Sequence, residues 1–164
     1  VMLKAMAILK QKYPDYKLLL YGEGPDENSL KEMTKSLGIS DVVVFKGNVE
    51  NVTSEVVKSQ FSVLTSDFEG IPNAVIEGMS MGLTVISTDT SPGGARFLIN
   101  DAVNGRIVPR GDFESIASTI SYYIEHPEEA DILSENAKKV TEALAPNKIK
   151  EQWINVIKEV TKNG

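Results

Sequence analysis

Apolar residues fall along this chain in two alternating spacings. Short runs rich in aliphatic and β-branched residues stand at Lys17–Tyr21, Val42–Phe45, Phe61–Thr65, Thr84–Ser87 and Arg106–Val108. They are too short for helices and read as buried strands. Between them the spacing changes to the helical period. It predicts helices over Val1–Lys12, with Leu3, Ala7 and Ile8 toward a core, over Asp26–Leu37, closed by Gly38, and over Asn51–Ser59. A helix opened by Pro72 and ended by Gly82 follows the third run, and a short helical piece, Arg96–Ile99, follows the turn Ser91–Gly94. Asp112 caps a helix through about Tyr123, and two more helices are expected at about Glu128–Leu144 and Asn147–Lys162. In the last, Trp153 shares a helical face with Ile149, Val156, Ile157 and Val160, which predicts core packing, with docking on another domain as the alternative. Strand–helix alternation of this kind predicts an α/β fold, a doubly wound parallel sheet with a helical C-terminus.

Composition narrows the picture. A chain of 164 residues can bury one core and is short for two ordinary domains. With no cysteine, disulfides, thiol catalysis and sulfur ligation of metals are excluded. The net charge of −6 argues against a nonspecific nucleic-acid surface. No apolar run of about 18 residues stands in the sequence to span a membrane. No basic region followed by an apolar stretch marks a signal peptide at the start.

The candidate chemistry is concentrated between Phe68 and Ser87. Glu69 lies in a Gly/Pro loop after a strand, and Glu77 follows after seven intervening residues, one turn inside the next helix. A strand–loop–helix unit sets backbone N–H groups and both acids at the carboxyl edge of a parallel sheet, where open α/β sheets bind ligands. Gly70 supplies conformational freedom to the loop. Free N–H groups near Asn73 to Val75 would suit a diphosphate. Glu77 would repel that phosphate and is better placed to accept hydrogen bonds from sugar hydroxyls.

These residues carry a resemblance. The Glu69–Glu77 spacing with its Glu69-Gly-Ile-Pro-Asn73 opening resembles the signature of the family-4 (group 1) retaining, nucleotide-sugar-dependent glycosyltransferases of GT-B fold. Three further segments are similar to that family in the same order: Leu18-Leu-Leu-Tyr-Gly-Glu-Gly-Pro25, Val42-Val-Val-Phe-Lys-Gly-Asn-Val49 and Asn104-Gly-Arg-Ile-Val-Pro109. Taken singly, each has a plainer reading. Gly22–Pro25 suits an ordinary strand-to-helix turn, Gly47 a turn residue, and a Glu pair occurs by chance in acidic helical chains.

The resemblance implies a Rossmann-like half of a GT-B fold, acting as a donor-binding domain. In that family the first helix follows a strand and a loop bearing an Arg and a Lys, and a separate N-terminal acceptor domain carries the usual catalytic histidine. None of these stands in this sequence, so the chain reads as an excised C-terminal domain; a naturally small flavodoxin-like domain is the alternative. The resemblance assigns Glu69 to catalysis at the donor sugar and the Gly70, Ile71, Pro72, Asn73 and Ala74 backbone to sugar and diphosphate. It assigns Glu77 to the ribose, Gly22 and Gly24 to close approach of the nucleotide, and Lys46, Gly47, Asn48 and Val49 to the base. Thr90–Gly94 would border the cleft, although Ser91-Pro-Gly-Gly94 departs from commoner forms. Arg96 is a candidate phosphate partner, with a surface salt bridge as its plainer role.

The implied activity is sugar transfer from a nucleotide-diphosphate sugar to an acceptor hydroxyl with retention, in polysaccharide or glycolipid synthesis. The partners are then the nucleotide-sugar and an acceptor glycan or lipid held by the other domain, not nucleic acid. The implied setting is the cytoplasm, with peripheral association of the full-length protein at the inner membrane face. No cofactor or metal is expected. Asp67 and Glu69 form an Asp-x-Glu pair that would otherwise suit magnesium. A glycosidase-like acid pair is disfavoured, because both acids come from one loop and helix. A nucleotide-sugar epimerase of the same fold and a non-catalytic nucleotide-binding or interaction domain are the alternatives. His126 before Pro127 reads as a helix-end surface residue without an evident partner, Tyr122 and Tyr123 as structural, and Asn51-Val-Thr53 as an acceptor pattern without a secretory context.

Overall fold

The computed structural model describes residues 1–162. Helices α1 (Met2–Lys12), α2 (Glu27–Ser36) and α3 (Val52–Val56) alternate with strands β1 (Leu18–Tyr21), β2 (Val43–Gly47) and β3 (Phe61–Leu64). Then come α4 (Asn73–Ser80), β4 (Thr84–Thr88), α5 (Gly94–Leu98), β5 (Arg106–Val108), α6 (Phe113–Glu125), α7 (Pro127–Ala137), α8 (Val140–Ala143) and α9 (Pro146–Lys162). Every ladder is parallel, as strands separated by helical crossovers require. The α/β architecture with parallel sheets is therefore the one its pattern predicts. The strands form two ladders, β1–β2 and β3–β4–β5.

Helices cover both faces. All five residues of β4 are buried, and its two aliphatic side chains point into different apolar clusters by the period of a strand. Ile86 joins Leu3, Met6, Leu9, Ile116 and Ile120 under α1 and α6, whereas Val85 joins Val75, Met79, Leu98 and Val140 under α4, α5 and α8. β5 follows the same alternation, with Val108 in the first cluster and Ile107 packed on the second.

Local signals in the sequence set several helix ends. Asp112 takes the N-cap of α6: its Oδ1 accepts from the Ser115 N–H at 2.9 Å and its Oδ2 from the Ser115 hydroxyl at 2.6 Å. Gly82 closes α4 at φ 71°, where Leu83 N–H returns to the Gly78 carbonyl at 3.0 Å. Gly38 does the same for α2 at φ 66°.

Three expectations need correction. In α1 the buried face is Leu3, Ala5, Met6 and Leu9, and Ile8 is exposed, because the helix turns its Met6–Leu9 side to α6. The helix expected over Glu128–Leu144 is broken into α7 and α8. No local breaker demands this; it accompanies packing that brings both Ala137 and Val140 into the α4 cluster. In α9, Trp153 is 65% exposed, as are Ile154, Val156, Ile157 and Val160 in varying degree, so this stripe packs on no core among the described residues. No described helix is long and apolar enough to cross a membrane.

The Asp112 cap carries a pH signature. Bonds from the Ser115 hydroxyl and N–H hold its carboxyl below the ordinary aspartate value. A depressed value contributes stability above the ordinary carboxylate range, and the contribution is lost as pH falls through the depressed one. Asp112→Ala is expected to lower the urea midpoint at pH 7, with the gap to wild type narrowing below about pH 4. Urea titrations at pH 7 and pH 3 check this.

Candidate functional site

β3 ends at Leu64, and the chain then runs through Thr65–Pro72 into α4. This loop is laced to the one that follows β4. The Thr88 hydroxyl donates to the Ser66 carbonyl, Glu69 N–H donates to the Ser91 carbonyl at 2.9 Å, and Ser91 N–H donates to the Asp67 carbonyl at 3.1 Å. Arg110 adds a longer bond to the same Asp67 carbonyl, at 3.4 Å. Gly94, at the start of α5, lies directly on the Gly70 peptide: a Cβ built there would fall 1.2 Å from the Gly70 carbonyl oxygen. Any side chain at this position would push the two loops apart. Behind it, the buried Thr90 hydroxyl accepts from Ala95 N–H at 3.3 Å.

The lacing fixes where Glu69 and α4 stand. Pro72, extended at φ −74° and ψ 112°, is the residue before the helix and not in its first turn, so α4 begins at Asn73. Val75 and Ile76 N–H both return to the Pro72 carbonyl. The free amides are thus those of Asn73 and Ala74, which have no acceptor among the described residues; Val75, expected to be free, is bonded. Gly78 lets α4 lie close on β3 and β4, since a Cβ there would meet Ser62 Oγ at 2.8 Å. Glu77 is exposed and lines a groove with Tyr21, Thr65 and Ala74. Neither the Glu69 nor the Glu77 carboxylate has a hydrogen-bond or ion-pair partner among the described residues.

On the other ladder, Gly22 and Gly47 meet at the strand ends. Gly22 N–H donates to the Gly47 carbonyl at 2.8 Å, and both residues have left-handed backbone, at φ 104° and 64°. Glycine is required at both by conformation. Gly24 and Gly70 are different. Neither has left-handed backbone, and a Cβ on either would meet nothing within 4 Å. The freedom expected of Gly70 is therefore not used by the loop itself. Asn48 is exposed beside Gly47, and Val49 is half-buried.

Arg96, the candidate phosphate partner, and Lys46, expected beside the base, are both already paired. Arg96 grips Asp89 with two parallel bonds, Nε to Oδ1 at 2.7 Å and Nη2 to Oδ2 at 2.9 Å, and this holds the Asp89 carboxyl below its ordinary value. Of its two expected roles, the salt bridge is the one observed. Lys46 belongs to β2 and bonds Glu55 at 2.7 Å, which raises the lysine and lowers the glutamate. His126 lies outside these loops, at the α6–α7 junction. It has partners after all: its ring lies 4.4 Å from that of Tyr122, and its Nδ1 is 3.7 Å from Glu128.

Two contributors escaped the sequence reading, Asp89 as the partner of Arg96 and Gly94 as the seat of the Gly70 peptide. Nothing at one position announces either contact. The Tyr21 hydroxyl, buried without a hydrogen-bond partner among the described residues, also lines the groove. It had read only as a strand former.

Comparison with known proteins places this arrangement. Residues 1–140 match the model of the family described as glycosyl transferases group 1. The chain is 33% identical over 159 residues to a Campylobacter jejuni α-1,4-N-acetyl-D-galactosaminyltransferase named for an undecaprenol-diphosphate-linked acceptor, covering 96% of this chain and 44% of that protein. Its fold superposes on HepE of Anabaena in complex with UDP with a TM-score of 0.87 at 21% identity, over 96% of this chain and 44% of that one. It superposes with a TM-score of 0.76, at 24% identity, on the C-terminal domain of a group 1 glycosyl transferase, LpcC, from Francisella tularensis, covering 87% of this chain and 76% of that one. The chain thus spans less than half the length of the Campylobacter and Anabaena proteins.

The contact between Gly94 and Gly70 separates two glycines that look alike in sequence. Gly94→Ala is expected to destabilise by about 1–3 kcal/mol, as overpacking against fixed backbone does. Gly70→Ala is expected to stay within about 0.5 kcal/mol of wild type. Urea midpoints of the two variants decide it, and equal midpoints would refute the clamp.

Proposed function

This chain belongs to the glycosyl transferases group 1, and on that premise we propose that it is the C-terminal, donor-binding domain of a retaining, family-4 enzyme of GT-B fold. The full-length protein transfers a sugar from a nucleotide-diphosphate sugar to an acceptor hydroxyl, in the synthesis of a polysaccharide or glycolipid. The acceptor is held by the other half of the protein. The observation that carries the reading is the start of α4. Two unbonded amides, of Asn73 and Ala74, stand between two carboxylates that have no partner of their own.

The division of labour follows from charge. The leaving nucleoside diphosphate gathers negative charge as the glycosidic bond breaks, and fixed N–H dipoles stabilise it. With Lys46 and Arg96 paired inside the protein, the N-terminus of α4 and the Arg110 guanidinium are the positive elements at the loop. This reading needs no metal ion and no cofactor. Glu69, half-buried and tied through its backbone to Ser91, meets hydroxyls of the donor sugar. Glu77, a turn farther along, accepts from the ribose hydroxyls. Gly70 and Gly24 have neither strain nor a neighbour to explain them, which supports close passage of a ligand over both. Gly22, Gly47, Asn48 and Val49 then border the base. The Campylobacter relative's lipid-linked acceptor supports peripheral work at the inner face of the membrane.

Titration of the full-length protein with UDP, GDP, ADP and their sugars, with and without magnesium, tests the reading. Selective binding without metal is expected. Glu77→Ala should weaken it about 10- to 100-fold, the scale of a lost charged hydrogen bond, with an unchanged urea midpoint. Equal affinity in that variant would remove the ribose role. Failure of every nucleotide to bind would remove the donor-domain reading.

A further inference from the structure

Lys46 and Glu55 stand on either side of one loop. β2 ends at Gly47, the chain runs through Asn48–Asn51, and α3 begins at Val52. The two ends of this loop are pinned separately. At its start, Gly22 N–H donates to the Gly47 carbonyl at 2.8 Å. At its far end, Asn51 Oδ1 accepts from Ser54 N–H at 3.2 Å, and the Ser54 hydroxyl donates to the Asn51 carbonyl at 3.0 Å. The bond from Lys46 Nζ to Glu55 Oε2, at 2.7 Å, is the one side-chain bond between β2 and α3 among the described residues, and it closes the segment into a ring. Within that ring the N–H groups of Asn48, Val49 and Glu50 have no acceptor among the described residues.

We propose that Glu55 is a positioning residue for recognition of the nucleobase: it keeps Lys46 off the ligand and, through that bond, holds the Asn48–Glu50 amides in the arrangement that tells one base from another. The inference deepens the donor-domain reading and rests on it.

Three observations lead there. The first is the engagement of Lys46, the side chain expected beside the base. A lysine is a point charge with rotatable donors and discriminates poorly between planar groups. Bases differ in the pattern of donors and acceptors along their edges, which donors at set positions can read. The free amides of the loop are such donors. The second is Gly47, whose left-handed backbone at φ 64° carries no side chain to brace the start of the loop. A loop without a brace must be ordered by its ligand, at a cost in affinity, and the bond across its ends removes part of that cost in advance. The third is the state of the pair. The bond to Lys46 above all holds the Glu55 carboxyl below its ordinary value, and the same bond raises the lysine, so both ends stay charged at neutral pH. Glu55 thus acts on the ligand through the loop.

Titration of the full-length protein with UDP, GDP and ADP tests it, read as the ratio of the preferred nucleotide's affinity to that of the other two. The ratio cancels changes at the shared ribose and diphosphate, including any pull on phosphate from a released Lys46. Glu55→Gln is expected to shrink the ratio about 2- to 5-fold, the scale of an exposed ion pair, with little change in the urea midpoint. The double variant K46E/E55K rebuilds the pair with its ends exchanged and is expected to return the ratio toward the wild-type value. An unchanged ratio in Glu55→Gln would overturn the proposal, and a uniform loss across the three nucleotides is that same result. Failure of the double variant to recover would overturn it too, since Lys46 would then be reading the base itself. Equal affinity for all three in the unaltered protein would show a loop that reads no base and would also overturn it. Binding of none would remove the donor-domain reading and this inference with it, an outcome set apart from the others by the absence of saturation.

Discussion

β4 is the strand from which the rest of the molecule is hung. It is buried at every residue, so each backbone polar group must find its partner within the fold. It finds them in β3 on one side and β5 on the other, and its Val85 and Ile86 side chains enter the two apolar clusters. Because β3 and β4 are in fixed register, the loops that leave them emerge side by side. The bonds from Thr88 to Ser66, Glu69 to Ser91 and Ser91 to Asp67 continue the ladder past its formal end. The candidate site is the upper extension of a sheet and takes its geometry from the core below.

The charge arrangement at that edge follows the same economy. The chain carries a net charge of −6, and two of its cations near the strand ends, Lys46 and Arg96, already hold carboxylates of their own. An anion arriving there meets main-chain dipoles as well as side-chain charge. Backbone amides occupy positions set by the fold, whereas a surface lysine or arginine trades partners with solvent and salt. The unpaired carboxylates flanking those amides favour ligands that bring hydroxyl donors as well as phosphate.

What the sequence disclosed and what it concealed divide by range. Gly38, Gly82 and Asp112 act on neighbours a few residues away, and their roles were legible. The strand runs and the Glu69–Glu77 loop were legible for the same reason, and four ordered motifs made the family recognisable. Gly94 on Gly70 is a contact between loops that only the folded sheet brings together, whereas Arg96 reaches Asp89 within the one segment after β4, where the turn of the chain into α5 sets the pairing. The misreading of Ile8 has a related cause. A helical pattern shows that an apolar face exists, and which residue within it is covered depends on where α6 lies. α9 is the plainest case, since its pattern gives an apolar stripe and says nothing about a cover.

The lacing of the two loops also bears on the cost of association. A ligand that must order a loop loses affinity to the entropy of doing so, and it binds no faster than the loop closes. Here the segment around Glu69 and Gly70 is tied by three backbone-directed bonds and a glycine contact before anything arrives. The conformational entropy of that loop was surrendered in folding. A ligand that docks on this edge would not have to supply that entropy again.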